Sequence, residues 1–514
     1  MYPGTHAKVT PDKPAVLLAD TGETISYAEL DQNSVRLARF LTQTGLRRGD
    51  HIALLTENHP RAFEVYWAAL RSGLYITAVN RHLSADEVSY IVNDCGATAL
   101  VVSAALAELA ARIVTDVPNV KQLLAFGGPV AGYESYERAL ASVSGEPLAD
   151  QPRGADMLYS SGTTGRPKGI KSTLPDRQVD EPGDLMVPLF GGLYGFGADT
   201  VYLSPGPVYH AAPLRFGGVV QALGGTVVLM RRFDAESALA AIERFRVTHS
   251  QWVPTHFVRL LKLAPAVRDR YDLASHRVAV HAAAPCPVEV KRAMIDWWGP
   301  ILGEYYSSTE GNGLTAVTSQ DWLTRPGTVG RPLLGELHIC APDGTDVPTG
   351  EVGTVYFARD ALSFNYHNDP VKTSAAQHPD HPAWTTTGDV GRLDEDGYLH
   401  LTDRQAFMII SGGVNIYPQE VENCLTLHPK VFDVAVIGVP DDEFGEAVKA
   451  VVQPTPGVLA GPELERELLD YARDRIAHYK CPRSVDFTDE LPRTPTGKLV
   501  KGQLRAQYLN PTGQ

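Results

Sequence analysis

"PAVLLADTGETISYAELDQNSVRLARFLTQTG", residues 14–45, decides the fold class. "AVLLA" is an apolar run of strand length, and Asp20-Thr21-Gly22 reads as its turn. Ser26 and Glu29 have the spacing of a capping box that opens a helix, and Gly45 marks that helix's end. The rhythm continues outward. "HIALLT" (51–56) reads as a strand, Pro60 to Gly73 as a helix and "YITAVN" (75–80) as a strand. Ser84 and Glu87 cap the next helix, and "TALVV" (98–102) is another strand. Strand and helix in alternation predict parallel pairing, with helices packed on the sheet faces.

The pattern returns after residue 200. "TVYLS" (200–204) and "TVVLM" (226–230) read as strands around a helical stretch from Gly217 to Gly224. Asp234 caps a helix through Phe245, and "HSQWV" and "RVAVHAAA" are further strand candidates. Two such sets predict two similar α/β subdomains. Near 350 the texture shifts, and "GTVYFA" and "GYLHLTD" read as antiparallel strands with polar turns between them. From about 404 a smaller unit alternates strand, helix (Pro418 to Leu427), strands "DVAVIGV" and "AVKAVVQP", helix (Pro462 to Ile476) and strand. The expected architecture is therefore α/β. A large N-terminal domain (1–403) carries two similar α/β subdomains plus a β-rich one, and a small α+β C-terminal domain (404–514) follows.

Composition narrows the function. The 514 residues are 44% hydrophobic, enough for a sizeable core and for roughly three domains or one large body with subdomains. Asp and Glu number 60 against 46 Lys and Arg, a net charge of −14 that argues against nucleic acid as a partner. Cys95, Cys286, Cys340, Cys424 and Cys481 form no C-x-x-C pair, so reduced thiols in a cytoplasmic protein are expected, without metal or disulfides. The opening "MYPGTHAKVTPDKPA" has no apolar core of a signal peptide. Glu108 and Arg112 interrupt the apolar stretch from Ala97 to Val114, which reads as a strand and a helix rather than a membrane span.

The strongest local signal is "YSSGTTGRPKG", Tyr159 to Gly169. Gly162, Gly165 and Gly169 let backbone N–H groups approach an anion closely. Ser160, Ser161, Thr163 and Thr164 add donors, and Lys168 adds charge. A polyphosphate needs this mixture of dense donors, little bulk and one cation. The G-x-x-x-x-G-K-[ST] spacing of the Walker loop is absent. A flexible Ser/Gly loop is the bland alternative.

Other clusters follow downstream: "YYSSTEG" (305–311), "TTTGDVG" (385–391), "DRQAFMIISGGVNIYPQEVE" (403–422) and "PRTPTGKLVK" (492–501). Taken singly, each has a plain reading. Asp389 caps a turn, Glu310 is a solvated acid, and Lys498 is a surface lysine. Their order and co-occurrence change the odds.

Those segments in that order resemble the AMP-forming acyl-CoA synthetases, over nearly the whole chain from "DKPAVL" to "GKLVKGQL". The resemblance implies ATP, Mg²⁺ and coenzyme A as ligands, with a carboxylic acid as substrate. It makes Ser161, Gly162, Thr163, Thr164, Gly165 and Lys168 the cradle of the β- and γ-phosphates. It makes Tyr306 the ring on which adenine stacks, with Ala283, Ala284 and Pro285 lining the adenine and ribose pocket. Thr309 matches the α-phosphate contact, Glu310 the magnesium-binding carboxylate (with Thr163 as a second metal contact), and Asp389 the acceptor for the ribose hydroxyls. Arg404 matches the basic residue on the ribose and phosphate side, and Lys498 the lysine bridging the substrate carboxylate and the α-phosphate. His210, in "PVYHAAP", matches the residue beside the incoming carboxylate, though a core histidine is the alternative. Ser411, Gly412 and Gly413 resemble the segment lining the pantetheine tunnel, with a plain turn as the alternative.

The same resemblance implies a mobile C-terminal domain that rotates at the start of "DRQAF" between adenylation and thioester formation. The family commonly has Lys-Asp after the arginine, where this chain has Ala406-Phe407, so that pair supplies no salt bridge to set the rotation. Ser307 stands where Gly is usual before T-E, and Ala282-Ala283 stand where Gly-Gly is common; both are small enough to be expected to fit. The run "PLFGGLYGFGADT" (188–200) suggests a bulky apolar acid: fatty, aryl or steroid-type. An adenylating enzyme with another acceptor, such as a carrier protein, an amine or another small nucleophile, is the alternative, and a monomer or homodimer is expected.

Overall fold

The capping boxes read from the sequence are formed. In the computed structural model the Glu29 carboxylate accepts the Ser26 N–H at 2.8 Å, and Ser26 Oγ accepts the Glu29 N–H at 3.2 Å. The helix Tyr27–Gln43 follows. Ser84 and Glu87 repeat the arrangement at the start of Ala85–Asp94. Reciprocal satisfaction of two orphan donors is local chemistry and needs no tertiary partner. The structure describes residues 1–160, 167–404, 407–412, 414–441, 443–493 and 499–509.

Among these residues the strands assemble into five sheets. The first runs Glu134–Ser135, Gln122–Phe126, Ala97–Ser103, His51–Leu55, Tyr75–Val79 and Ala155–Asp156, and every pairing in it is parallel. The second is larger. Its parallel centre takes Val278–His281, His249–Trp252, Val201–Ser204 and Thr226–Leu229, and Leu302–Ser307 extends it. These are the two expected α/β layers, with one exchange. The strand Pro14–Leu18 joins the second sheet, with Val16 opposite Val227, rather than the first. Tyr27 secures the exchange, because its buried hydroxyl donates to the carbonyls of Gln221 (3.1 Å) and Gly225 (2.7 Å). Apolar periodicity names a strand but not its distant partner.

The helix expected from Gly217 begins earlier and spans Ala211–Ala222, which brings His210 and Arg215 into play at its start. The stretch from Ala97 to Val114 divides into the strand Ala97–Ser103, a short 3₁₀ turn and the helix Ala107–Ile113. Among the described residues no helix is long and apolar enough to cross a membrane. All five cysteines are free.

The β-rich layer is antiparallel: Glu336–Cys340, Gly353–Ala358, Trp384–Thr385, Asp389–Leu393 and Leu399–Arg404. One short segment stitches it to the second α/β sheet. Val329 N–H donates to Leu399 O at 2.9 Å, and Leu399 N–H donates to Gly330 O at 2.8 Å. The next residue, Arg331, pairs with Ala316 of the large sheet. Gly330 adopts φ +98°, and a Cβ there would lie 2.0 Å from Ala316 O. This crossing sets where Asp389 sits relative to Tyr306.

In the C-terminal unit the strands Val431–Asp441 and Gly445–Pro454 pair along their length, and Ser484–Phe487 adds in parallel. The helices Pro418–Thr426 and Pro462–Arg473 bury Val421, Leu425, Leu464 and Leu468 against Val434, Val436 and Val448. This is the expected small α+β unit.

Gly330→Ala is expected to lower the first thermal unfolding transition by several degrees, since overpacking and a left-handed alanine each cost about 1–3 kcal/mol. An unchanged melting curve would show that the two sheets are not joined through this crossing.

Candidate active site

The strands Leu158–Ser160 and Lys168–Lys171 run antiparallel, with Lys168 opposite Ser160, and Asn365–Tyr366 pairs on the outer side. Residues 161–166, which include the expected Ser161, Gly162, Thr163, Thr164 and Gly165, lie outside the described residues. Lys168 Nζ lies 5.1 Å from the centre of the Tyr366 ring, within cation–π range. The Tyr366 hydroxyl donates to Glu310 Oε1 at 2.9 Å. Tyr366 thus bridges the cation of the glycine-rich segment and the carboxylate of the T-E turn. Burial pulls the Lys168 pKa below the ordinary lysine value and Lys372 adds to this, while Asp369 and Glu310 oppose it.

Thr309 and Glu310 occupy the turn after the strand Leu302–Ser307. Gly311 closes that turn at φ +64°, with its N–H donating to Ser308 O at 3.1 Å. Ser307 donates to Gly313 O at 2.7 Å and so ties the two ends of the turn. Arg215 supports it from beneath. Its guanidinium grips the Asp156 carboxylate through Nη2 (2.7 Å) and Nε (3.1 Å), and Nη1 points at Thr309 O at 3.5 Å. Burial works against the Arg215 charge, but Asp156 outweighs it and the pKa is raised. Asp156 comes from the first sheet and Arg215 from the helix Ala211–Ala222, so the pair ties two layers under the turn.

The Tyr306 hydroxyl donates to Asp389 Oδ2 at 2.7 Å, and Thr387 Oγ1 donates to the same oxygen at 2.7 Å. Asp389 is buried, beginning its strand just after Gly388 at φ +81°. Arg404 stands opposite Asp389 in the neighbouring strand. Ala283, Ala284 and Pro285 line the same cleft as Tyr306 and Asp389. Ala283 holds φ +77°, a left-handed conformation that costs a non-glycine residue roughly 1–2 kcal/mol. Small volume alone therefore does not make alanine equivalent to glycine here.

Lys498 and Gly413 also lie outside the described residues. The neighbours of the Lys498 segment are placed, however. Arg493 and Leu499 form an antiparallel bridge, and both line the cleft with Tyr306 and Asp389. Gly412, at φ +57° beside the strand Ile409–Ser411, donates to Phe444 O at 2.8 Å and is not among the cleft-lining residues. Phe407 lines the cleft instead. Its ring lies 5.5 Å from Lys501 Nζ, and that ammonium pairs with Glu422 at 2.8 Å. His210 precedes the helix Ala211–Ala222 in an extended conformation, its ring 4.6 Å from that of Tyr209.

The aromatics of "PLFGGLYGFGADT" pack inward. Phe190, Tyr194 and Phe196 are buried, and Phe190 and Phe216 stand 4.5 Å apart. Tyr305 closes this cluster at 5.7 Å from Phe216 and presents its own ring to the cleft. Three residues at the site escaped the sequence reading: Tyr366, Arg215 and Asp156. None sits in a motif, and each acts through a partner more than 50 positions away, so spacing carried no signal.

Two outcomes follow from this geometry. ATP affinity should weaken as pH rises through the depressed Lys168 pKa, because the charged ammonium is present below that pKa and lost above it. Lys168→Arg keeps its charge and should push that alkaline loss to higher pH, as read from ATP binding across a pH series. Arg215→Ala strands the Asp156 carboxylate. It should cost about 2–4 kcal/mol in stability and reduce nucleotide turnover, and Arg215→Lys should recover the charge but not the two-point grip.

Residues 4–367 match the family described as AMP-binding enzyme, and residues 420–498 match the AMP-binding enzyme C-terminal domain. The chain is 33% identical to a feruloyl-CoA synthase from an Amycolatopsis species, over 99% of this chain and 98% of that one. Among solved structures it is similar to the amide bond synthetase McbA of Marinactinospora thermotolerans (TM-score 0.81, 30% identity, 98% of this chain and 99% of that one). It is also similar to ATP-bound MatB of Rhodopseudomonas palustris (TM-score 0.81, 29% identity, all of both chains). With Lys168 and Glu310 linked through Tyr366, and Tyr306 paired to Asp389 beside Ala283 and Ala284, this chain belongs to the AMP-binding enzymes, the family of adenylate-forming acyl-CoA ligases.

Proposed function

We propose that the enzyme activates a bulky apolar carboxylic acid, fatty, aryl or steroid-type, with ATP and passes the acyl group to coenzyme A. In the first step a carboxylate oxygen attacks the α-phosphorus, the bond to the β-phosphate breaks, and pyrophosphate leaves. In the second the CoA sulfur attacks the acyl carbon, its proton is released, and AMP leaves. Adenylation is needed because a carboxylate has no good leaving group of its own.

The observations that support this most are the Tyr366 bridge between Lys168 and Glu310 and the Tyr306–Asp389 pair that lines a cleft with Ala283 and Ala284. Adenine stacks on Tyr306 beside Ala283 and Ala284, and the ribose hydroxyls donate to Asp389, with Arg404 nearby. Ser161, Gly162, Thr163, Thr164, Gly165 and Lys168 hold the β- and γ-phosphates, Thr309 the α-phosphate. Glu310, a carboxylate linked through Tyr366 to Lys168, fits Mg²⁺, a cation commonly held by one or two carboxylates plus phosphate oxygens. Magnesium at Glu310 and Thr163 would offset the triphosphate charge. Lys498 brings the acid carboxylate to the α-phosphorus, and His210 stands beside it. Lysine suits this role as a compact point charge, and in-line placement of the two reactants supplies much of the acceleration.

Residues 404–514 form the mobile domain, hinged after residue 403. In the arrangement seen here the Lys498 flanks border the cleft and Gly412 does not. That arrangement suits adenylation; rotation would bring Gly412 and Gly413 to the thiol path. A second reading, transfer to an amine, draws on the likeness to the amide bond synthetase.

Acid-dependent pyrophosphate release across a panel of octanoate, ferulate, benzoate and a steroid side-chain acid is the expected result, with CoA-dependent AMP and thioester formation. Amide formation without CoA consumption would favour the second reading. Lys498→Ala should slow pyrophosphate release by about 10²–10³-fold, the scale of one lost transition-state contact, while leaving thioester formation from supplied acyl-AMP intact. Equal loss of both half-reactions would sink the two-arrangement account.

A further inference from the structure

One lysine outside the motifs joins the N-terminal body to the C-terminal unit. Lys262 follows the helix Pro254–Leu261, which buries Pro254, His256, Phe257 and Leu260 against the large sheet. Its ammonium leaves that body and donates to two carbonyls of the C-terminal unit, Val431 O at 2.6 Å and Phe432 O at 3.3 Å. The Phe432 ring sits between two cations, 5.6 Å from Lys262 Nζ and 5.7 Å from the Arg259 guanidinium. The contact thus has charge-assisted hydrogen bonds and cation–π attraction on one short segment.

The residue after Phe432 carries the contact onward. Asp433 is gripped at both oxygens by Arg493, through Nε to Oδ2 and through Nη2 to Oδ1 at 2.6 Å. A bidentate guanidinium–carboxylate pair fixes orientation as well as distance. Arg493 is bridged to Leu499, and Val500 N–H donates to Pro492 O at 2.7 Å. These residues are the shoulders of the segment that contains Lys498. The path from the rigid sheet to those shoulders is therefore short: helix, Lys262, the Val431–Phe432 carbonyls, Asp433, Arg493. Phe432, Asp433, Arg493 and Leu499 all line the cleft.

We propose that Lys262 is a positioning residue for the adenylation step, docking the C-terminal unit so that the Asp433–Arg493 pair holds Arg493 and Leu499, the sequence flanks of Lys498, at the cleft. Rotation of the unit breaks the Lys262 contacts, which cross between the two bodies. It leaves Asp433–Arg493 intact, because both lie within the rotating unit. Lys262 therefore acts on one half-reaction and not the other. A cross-body lysine that merely stabilised the fold would affect both alike.

The inference rests on the two-step activity proposed above. The test uses the full chain and whichever acid of the octanoate, ferulate, benzoate and steroid-acid panel releases pyrophosphate fastest. Lys262→Ala and Lys262→Arg are compared with the wild type in two assays: acid-dependent ATP–pyrophosphate exchange, and thioester formation from the pre-made acyl-AMP with CoA. Lys262→Ala is expected to slow exchange about 10-fold to 100-fold, the worth of a charge-assisted hydrogen bond, with KM for ATP unchanged. Thioester formation stays at the wild-type rate or rises. Lys262→Arg, which keeps a cation and donors at the same place, recovers most of the exchange. An equal loss in both assays, no loss in exchange, or no rescue by arginine overturns the inference while the two-step activity stands. A wild-type chain that performs neither half-reaction with any panel acid removes the two-step reading, and this inference with it.

Discussion

The Arg215–Asp156 ion pair is the contact on which the site depends. It joins a helix of one α/β layer to the edge strand of the other, and it does so directly under the Thr309 carbonyl. Two sheets that packed independently would leave the T-E turn with two possible supports and no fixed height. The guanidinium limits that freedom, with Nε and Nη2 both on Asp156 Oδ2 and Nε within 3.3 Å of Oδ1. Tyr366 then completes the arrangement from a third sheet, linking Glu310 to Lys168.

The same logic governs the far wall. Asp389 belongs to the β-rich layer and Tyr306 to the large sheet, and a 2.7 Å hydrogen bond joins them. That bond forms because the Val329–Gly330 crossing sets the two sheets at a fixed offset. Each half of the cleft is thus built by side chains that reach across a boundary between layers. Enzymes that bring two anions together need such rigidity on the phosphate side, since preorganised charge acts without reorganisation during the reaction.

Much of the fold was legible because its signals are local. The boxes at Ser26–Glu29 and Ser84–Glu87 satisfy neighbouring backbone groups, and the Asp234 cap accepts the Ser237 N–H three residues on. Local chemistry of this kind survives in any tertiary setting. The misplaced strand shows the limit. Pro14–Leu18 is recognisable as a strand from its apolar run, yet its sheet was settled by the remote Tyr27 hydroxyl and by register with Val227. The run at 188–200 is similar. Its aromatics suggested an acid pocket; Phe190, Tyr194 and Phe196 form core contacts, and of the rings in that cluster Tyr305 lines the cleft.

By itself the sequence determined the alternating α/β architecture, the small α+β unit at the end, and the ordered motifs that mark an adenylate-forming enzyme, because caps, periodicity and glycine-rich anion loops are written in neighbouring residues. Only the tertiary structure decided that Tyr366 would link Lys168 to Glu310, that Arg215 and Asp156 would hold up the T-E turn, and that Lys262 would reach the Val431 and Phe432 carbonyls. Those partners lie 56, 59 and at least 169 positions apart in the chain. Contacts over such separations depend on how layers stack and at what offset, and no local pattern of residues encodes that.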